Sequence, residues 1–307
     1  MITTVKVVVA GGSGALGRRL CDDLAERGHE VVVLTRSPRP GGHRQVHWDG
    51  VSVGPWAAEL EGAAVVNLAG ELVDLRPTPR SIALLTSSRV QPTRALRAAA
   101  DRLDAPVPVW LQASTVAIHG DAGEAVVDEC TPPADGPPQM TDVARAWEDA
   151  AAGARADRQV VLRTSVVLDR DTPALDRLVR LTKLGLGGRI ASGQQWISWL
   201  HIDDWLAIAR WTLGVDEEPG PPPSGVVVAS APNPVRNAEL MAALRKHLHR
   251  PPSPPTPAPL VRLGAVLLRT DPALALTGRR AVSRWLAEAG FRFRYPHLDE
   301  ALADLLA

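Results

Sequence analysis

Lys6-Val7-Val8-Val9-Ala10-Gly11-Gly12-Ser13-Gly14-Ala15-Leu16-Gly17 decides how the rest of the chain is read. Its apolar, β-branched start is far too short to span a membrane and reads as a buried parallel strand. Leu16, Leu20 and Leu24 then recur at helical spacing until Gly28, a stop signal. Between strand and helix stand Gly11, Gly14 and Gly17. Glycine permits a tight turn and a close backbone approach. The helix N-terminus that follows offers free N–H groups and a positive dipole end to a pyrophosphate. A glycine triplet alone says little, but here it has the strand–loop–helix setting that phosphate binding demands. The residues expected to hold a dinucleotide there are Gly11, Ser13, Gly14, Ala15, Leu16, Gly17 and Arg18.

The same rhythm continues outward. Strands are expected at Val5–Ala10, Val31–Thr35, Ala63–Ala69, Val107–Ser114 and Gln159–Leu168, with helices between them, one of them Ala-rich over Val143–Ala156. Strands alternating with helices predict an α/β fold with a doubly wound parallel sheet. After Leu168 the pattern changes. Proline-rich connections at Pro219–Pro223 and Pro251–Pro259 flank a strand-like Gly225–Ala231 and a helix-like Ala238–Leu248.

Composition narrows the function classes. The 307 residues are 45% hydrophobic and 22% charged, and 34 basic side chains balance 34 acidic ones. That balance speaks against nucleic acid or an anionic membrane as the main partner and leaves a small-molecule substrate. Cys21 and Cys130 form neither a disulfide framework nor a metal pattern, so no metal is expected and a reducing cytoplasm fits. No targeting segment is expected at the start, where no basic region precedes the apolar run. A monomer and a homodimer both fit, the latter through the Ala-rich helix.

The second strand ends Leu34-Thr35-Arg36-Ser37. An acidic residue there would accept ribose hydroxyls and repel a 2′-phosphate. Thr35 and Arg36 remove the acid and supply a cation, with Arg18 nearby, which favours NADP(H) over NAD(H).

Several further segments carry a resemblance. The glycine loop, Asn67-Leu68-Ala69-Gly70-Glu71, Ala113-Ser114-Thr115 and Trp199-Leu200-His201-Ile202-Asp203-Asp204 together resemble the extended short-chain dehydrogenase/reductase superfamily. With Val46-His47-Trp48-Asp49, Ser88-Arg89-Val90, Gln195-Trp196, Ala231-Pro232-Asn233-Pro234-Val235 and Ala289-Gly290-Phe291-Arg292-Phe293-Arg294-Tyr295-Pro296, the chain is similar to a narrower subgroup. Its members are atypical epimerase-family proteins with their own C-terminal domain of unknown function. The resemblance implies a Rossmann-type NADP-binding domain over residues 1–168, with return segments around 200–231. It also implies a smaller α/β substrate lobe over most of 169–307, with substrate between the two. Leu68, Ala69, Gly70 and Ala113 join the expected cofactor contacts.

The superfamily moves its proton with a Tyr-x-x-x-Lys pair, and this chain has none. Its one tyrosine is Tyr295 and its three lysines are Lys6, Lys183 and Lys246. Counting back from Trp147-Glu148 puts Met140 and Ala144 where the pair would lie, and neither can carry a proton. The expected catalytic residues are therefore Ser114, Thr115, His119 and Glu71. Ser114 and Thr115 end a strand at the carboxyl edge of the sheet, where hydroxyls can orient a carbonyl; capping of local backbone is the other reading. An imidazole titrates near ~6.5, so His119 is a general acid/base candidate; packing as a turn residue is its alternative. Glu71 could accept a substrate proton, but an ion pair with Arg76, Arg80 or Arg89 is the reading favoured. His201 is expected to be structural, Asp203 to cap a helix, and Trp196 and Trp199 to line a pocket. Three functions stay open: an NADP(H)-dependent oxidoreductase or epimerase, a non-redox isomerase, dehydratase or cyclase using His119 and Glu71, and a dinucleotide sensor without turnover.

Overall fold

The computed structural model describes residues 4–307 except 171, 217–219 and 222. Seven parallel strands form one sheet: β1 (Lys6–Ala10), β2 (Glu30–Thr35), β3 (Arg44–His47), β4 (Ala64–Asn67), β5 (Val107–Thr115), β6 (Ala156–Thr164) and β7 (Gly225–Ala229). Their spatial order is β3-β2-β1-β4-β5-β6-β7, the doubly wound arrangement, and it reverses between β1 and β4. Ligands bind at that reversal, outside the carboxyl ends of the strands.

Alternation along β1 shows why the central strands are apolar throughout. Val7 and Val9 face one core with Leu20 and Leu24 of helix α1 (Ala15–Glu26) and with Trp205 and Ile208 of helix Ile202–Leu213. Val8 and Ala10 face the other, with Trp48, Trp56, Trp110 and Leu96 of helix α2 (Pro79–Ala100). A strand covered on both faces reads as a near-continuous apolar run, with a polar residue only where a partner satisfies it. Gly28 does end the first helical run, with a left-handed φ of +85°.

Two expectations need correction, and one further strand has no sequence signal. The run Gln159–Leu168 is not one strand: β6 ends at Thr164, and Val166–Leu168 pairs instead with Trp199–His201 in a separate two-stranded sheet. The switch occurs at Ser165, whose N–H still bonds Ala229 of the main sheet while Val166 N–H bonds Ser198. The Ala-rich helix is α3 (Thr141–Ala151), shorter than expected, because Gly153 turns the chain at φ +71° into β6. Its apolar face, with Val143, Ala144 and Trp147, is buried and packs on α2 within the same chain. Finally, β3 gives no apolar signal in the sequence, since Arg44–His47 is an edge strand of half-buried and exposed side chains. Of the run Pro219–Pro223, Pro219 and Pro222 lie outside the described residues.

The phosphate loop sets the tightest packing. A Cβ on Gly17 would lie 2.2 Å from the Gly11 carbonyl oxygen, whereas one on Gly14 would lie 3.3 Å from it. Gly17→Ala is therefore expected to lower the unfolding free energy by about 1–3 kcal/mol through overpacking. Gly14→Ala should cost clearly less. Urea denaturation of both variants checks the order.

Candidate active site

At the carboxyl end of β1, Gly11 takes φ +83°, and a Cβ there would sit 2.6 Å from the Leu68 carbonyl carbon. Gly14 N–H donates to Gly11 O at 3.0 Å, which closes the turn. Gly14 caps α1 without any side-chain acceptor, so the first-turn amides are left for an anion. Arg18 donates to Ser13 O at 2.8 Å and brackets the loop. Ala15 and Leu16 begin α1, half-buried. Across the reversal point, Asn67 is fully buried and donates to Thr93 Oγ1 (2.7 Å) and Gln112 Oε1 (2.9 Å), while its own oxygen accepts Ala69 N–H (3.2 Å). Leu68, Ala69 and Gly70 are thus pinned beside Gly11. Thr35 is half-buried at the end of β2, and its hydroxyl accepts Ser37 N–H (3.3 Å). Arg36 next to it is exposed and, among the described residues, has no carboxylate partner. A glycine-lined turn that a single Cβ would fill, at a helix N-terminus and with a free cation at the β2 end, fits a phosphorylated dinucleotide.

Ser114 and Arg163 lie side by side, paired in register on β5 and β6. Glu148 of α3 joins them. Arg163 grips it with Nε and Nη2, both at 2.9 Å, and Ser114 Oγ donates to Glu148 Oε1 at 2.5 Å. The Ser114 hydrogen is thereby committed, so Oγ offers lone pairs to a ligand and not the donor a carbonyl would need. Glu148 served the sequence reading only as a landmark. Its signal was Arg163, a cation inside a buried strand, which requires a carboxylate. Thr115 takes the capping role: its hydroxyl accepts Ala117 N–H at 3.1 Å. Met140 and Ala144 are buried at the start of α3.

His119 ends the 3-10 turn Val116–His119 that follows β5. It is 3% exposed; Nδ1 lies 3.3 Å from Pro132 O, and Nε2 is buried without a partner among the described residues. A carbonyl can only accept, so the proton belongs on Nδ1 and the lone pair on Nε2. Burial and then the Arg163 guanidinium push this imidazole below its ordinary value, and Arg279 adds to the fall, against the Pro132 bond and the Glu148 carboxylate. At neutral pH it is an uncharged base.

Glu71 makes no ion pair among the described residues, contrary to expectation. Arg89 donates to the Glu71 backbone oxygen (2.9 Å) and Leu85 O (3.1 Å), lies under Gly70 and sits 5.0 Å from the Trp147 ring. The α2 turn carrying Arg89 thus holds the carbonyl, while the Glu71 carboxylate stays exposed. Burial pushes Arg89 down to about 10. His201 is structural as expected: its Nδ1 accepts Asp203 N–H (3.1 Å), making His201, not Asp203, the cap of helix Ile202–Leu213. Its ring stacks on Tyr295 with centroids 3.9 Å apart. Trp199 is a core residue, 1% exposed, and not a pocket wall. Trp196 lies between Arg236 (3.8 Å) and Arg280 (4.7 Å) and donates to Glu124 (3.1 Å).

A parallel sheet whose strand order reverses at a glycine cradle defines a dinucleotide-binding class of fold. The chain belongs to the NAD dependent epimerase/dehydratase family, whose model matches residues 7–223, and a domain of unknown function, DUF1731, matches residues 256–305. It is 34% identical to the epimerase family protein SDR39U1 of Bos taurus, over 99% of this chain and 100% of that one. The chloroplastic SDR39U1 homolog of Arabidopsis thaliana is 31% identical over 98% of this chain and 86% of its own. A crystal structure of the human SDR39U1 (isoform 2) with NADPH superposes with a TM-score of 0.84 at 30% identity, over 98% of this chain and 99% of that one. Among the described residues, no helix is long and apolar enough to cross a membrane.

Two outcomes follow from the buried charges. Arg163→Met strands the Glu148 carboxylate and should cost about 3–5 kcal/mol, whereas Arg163→Met with Glu148→Leu should recover most of it. Urea titrations of both variants measure this. The folded-state pKa of His119 lies below that of the unfolded chain, so the unfolded state binds the extra proton first. Stability is then full above ~6.5 and falls as pH drops through that value. His119→Phe should flatten the loss of unfolding free energy between pH 7 and pH 5.

Proposed function

We propose that the chain is an NADP(H)-dependent oxidoreductase or epimerase acting on a small metabolite that carries a hydroxyl or carbonyl group. Gly11, Ser13, Gly14, Ala15, Leu16 and Gly17 would hold the pyrophosphate, Arg18, Thr35 and Arg36 the 2′-phosphate end, and Leu68, Ala69, Gly70 and Ala113 the neighbouring sugar and nicotinamide side. Bound there, the nicotinamide supplies a two-electron acceptor or donor. The substrate lies between the sheet's carboxyl edge and the lobe over residues 169–307, and the dinucleotide domain is residues 1–168 with returns around 200–231.

The observation that carries the reading is the His119 Nε2 lone pair, buried and without a partner at the end of β5. A dinucleotide held there would supply the acceptor for the carbinol hydride, and His119 Nε2 would take the O–H proton as the substrate C–O becomes C=O. Ser114 Oγ, its hydrogen held by Glu148, accepts from a polar hydrogen of the substrate and so orients it. Thr115 positions the turn that presents His119. An imidazole kept neutral favours taking a proton over giving one, so oxidation of a hydroxyl is the faster direction near pH 7. Non-redox use of His119 with Glu71 has less support, because Glu71 is exposed and held by its backbone.

Protein-bound NADPH fluorescence tests the cofactor, with NADPH expected to bind more tightly than NADH. Arg36→Glu should weaken NADPH by roughly 10–100-fold, as expected for a lost charge-assisted phosphate bond, while sparing NADH. His119→Phe should keep NADPH binding and lose turnover; full turnover in that variant rules out the proton role.

A further inference from the structure

The C-terminal segment that reaches the site is held by backbone on both sides. Gly278 N–H bonds Asp121 Oδ1 (3.1 Å) and its carbonyl accepts Ala122 N–H (3.0 Å), just beyond His119. Arg279 N–H bonds Trp196 O (3.0 Å), and its carbonyl accepts Ser198 Oγ (2.8 Å). A Cβ on Gly278 would lie 2.4 Å from Trp196 O, so the two stretches touch backbone to backbone. Arg280 goes to the Trp196 ring, beside the Glu124 carboxylate. Arg279 does not share that partner.

Among the described residues, no carboxylate lies within ion-pair distance of Arg279. Its Nη2 donates to Thr277 Oγ1 at 3.3 Å, and its Nε is buried without a partner. It is close enough to His119 for its charge to oppose protonation there. Arg279 is half-buried, and its Nε–H, shut from solvent and unused, is costly unless an anion completes it. Nε together with Nη2 forms the planar, two-donor edge that fits two oxygens of one anionic group.

Two orphaned nitrogens, His119 Nε2 and Arg279 Nε, thus stand on stretches that the Gly278–Asp121 and Ala122–Gly278 bonds tie side by side. We propose that Arg279 anchors an oxyanion of the substrate, a carboxylate or a phosphate, and that the substrate is thus an anionic hydroxy or keto compound held with its reacting carbon beside His119. This rests on the reading of the cleft given under Proposed function. Arg279 fixes one end of the substrate, and His119 takes the proton at the other.

Thermal unfolding of the full chain tests it with sodium malonate and inorganic phosphate against chloride at matched ionic strength, each with and without NADPH. Either oxyanion should raise Tm saturably, and the one acting at lower concentration identifies the group. Arg279→Met should abolish the rise. Arg279→Lys keeps the charge but loses the two-donor edge, and should weaken half-saturation at least ~10-fold. Arg280→Met removes the neighbouring charge and should keep the response. The proposal is overturned if neither oxyanion exceeds chloride on the unmutated chain, or if the response survives unchanged in Arg279→Lys. Loss of NADPH fluorescence with the oxyanion response intact would sink the cofactor reading alone.

Discussion

Arg163 and Glu148 form the contact on which the geometry at the carboxyl edge depends. Their two-point ion pair, with side chains 6% and 15% exposed, ties the end of β6 to α3 where an apolar contact would leave both free to shift. A buried pair of this kind is worth little as net stability, since desolvation offsets most of the attraction. Its effect is orientation. It takes the Ser114 hydrogen, sets the direction in which Oγ can interact, and places a guanidinium whose charge adds to burial in disfavouring a protonated His119.

The C-terminal residues are held by apolar packing, with Leu286, Leu298, Leu302 and Leu305 in the same buried cluster as Val9 and Trp205, and polar contacts set their register. The buried Asp204 carboxylate accepts the backbone N–H groups of Arg294 (2.7 Å) and Tyr295 (3.0 Å), which fixes the Phe291–Pro296 segment against the helix Ile202–Leu213. Gln139, just before α3, donates to Asp271 (2.9 Å), and Asp74 in the loop after β4 bonds Arg177 and Thr270.

Much of the fold was legible because its signals are local. The glycine loop, the β-branched strands and the leucine spacing of α1 each declare themselves within a dozen residues. What escaped was set by partners distant in sequence. The chain leaves the main sheet after Ser165 because Ser198 offers Val166 another partner, and no periodicity within Gln159–Leu168 encodes that. β3 was silent because an edge strand needs no apolar alternation. At the site, Ser114 and His119 were readable from their place after a strand, but the Ser114 hydrogen bond was not. It depends on Glu148, 34 residues away. Arg279 escaped for the same reason, since one arginine among so many stands out only when its surroundings show it unpaired.

The tyrosine shortage then takes a physical meaning. A phenol near ~10 needs neighbouring positive charge before it can give up a proton near neutrality. The same charge acts on an imidazole by emptying Nε2 of its proton, which makes a base with no further adjustment. Around His119 burial is the larger cause and the Arg163 guanidinium adds to it, while the Pro132 carbonyl fixes which nitrogen carries the lone pair. Met140 and Ala144 can then be apolar, filling the start of α3 with packing groups, because on the proposed reading the proton-transfer position has moved from that helix to the turn after β5. Burial, which would hold a tyrosine protonated, is what keeps this histidine a neutral base.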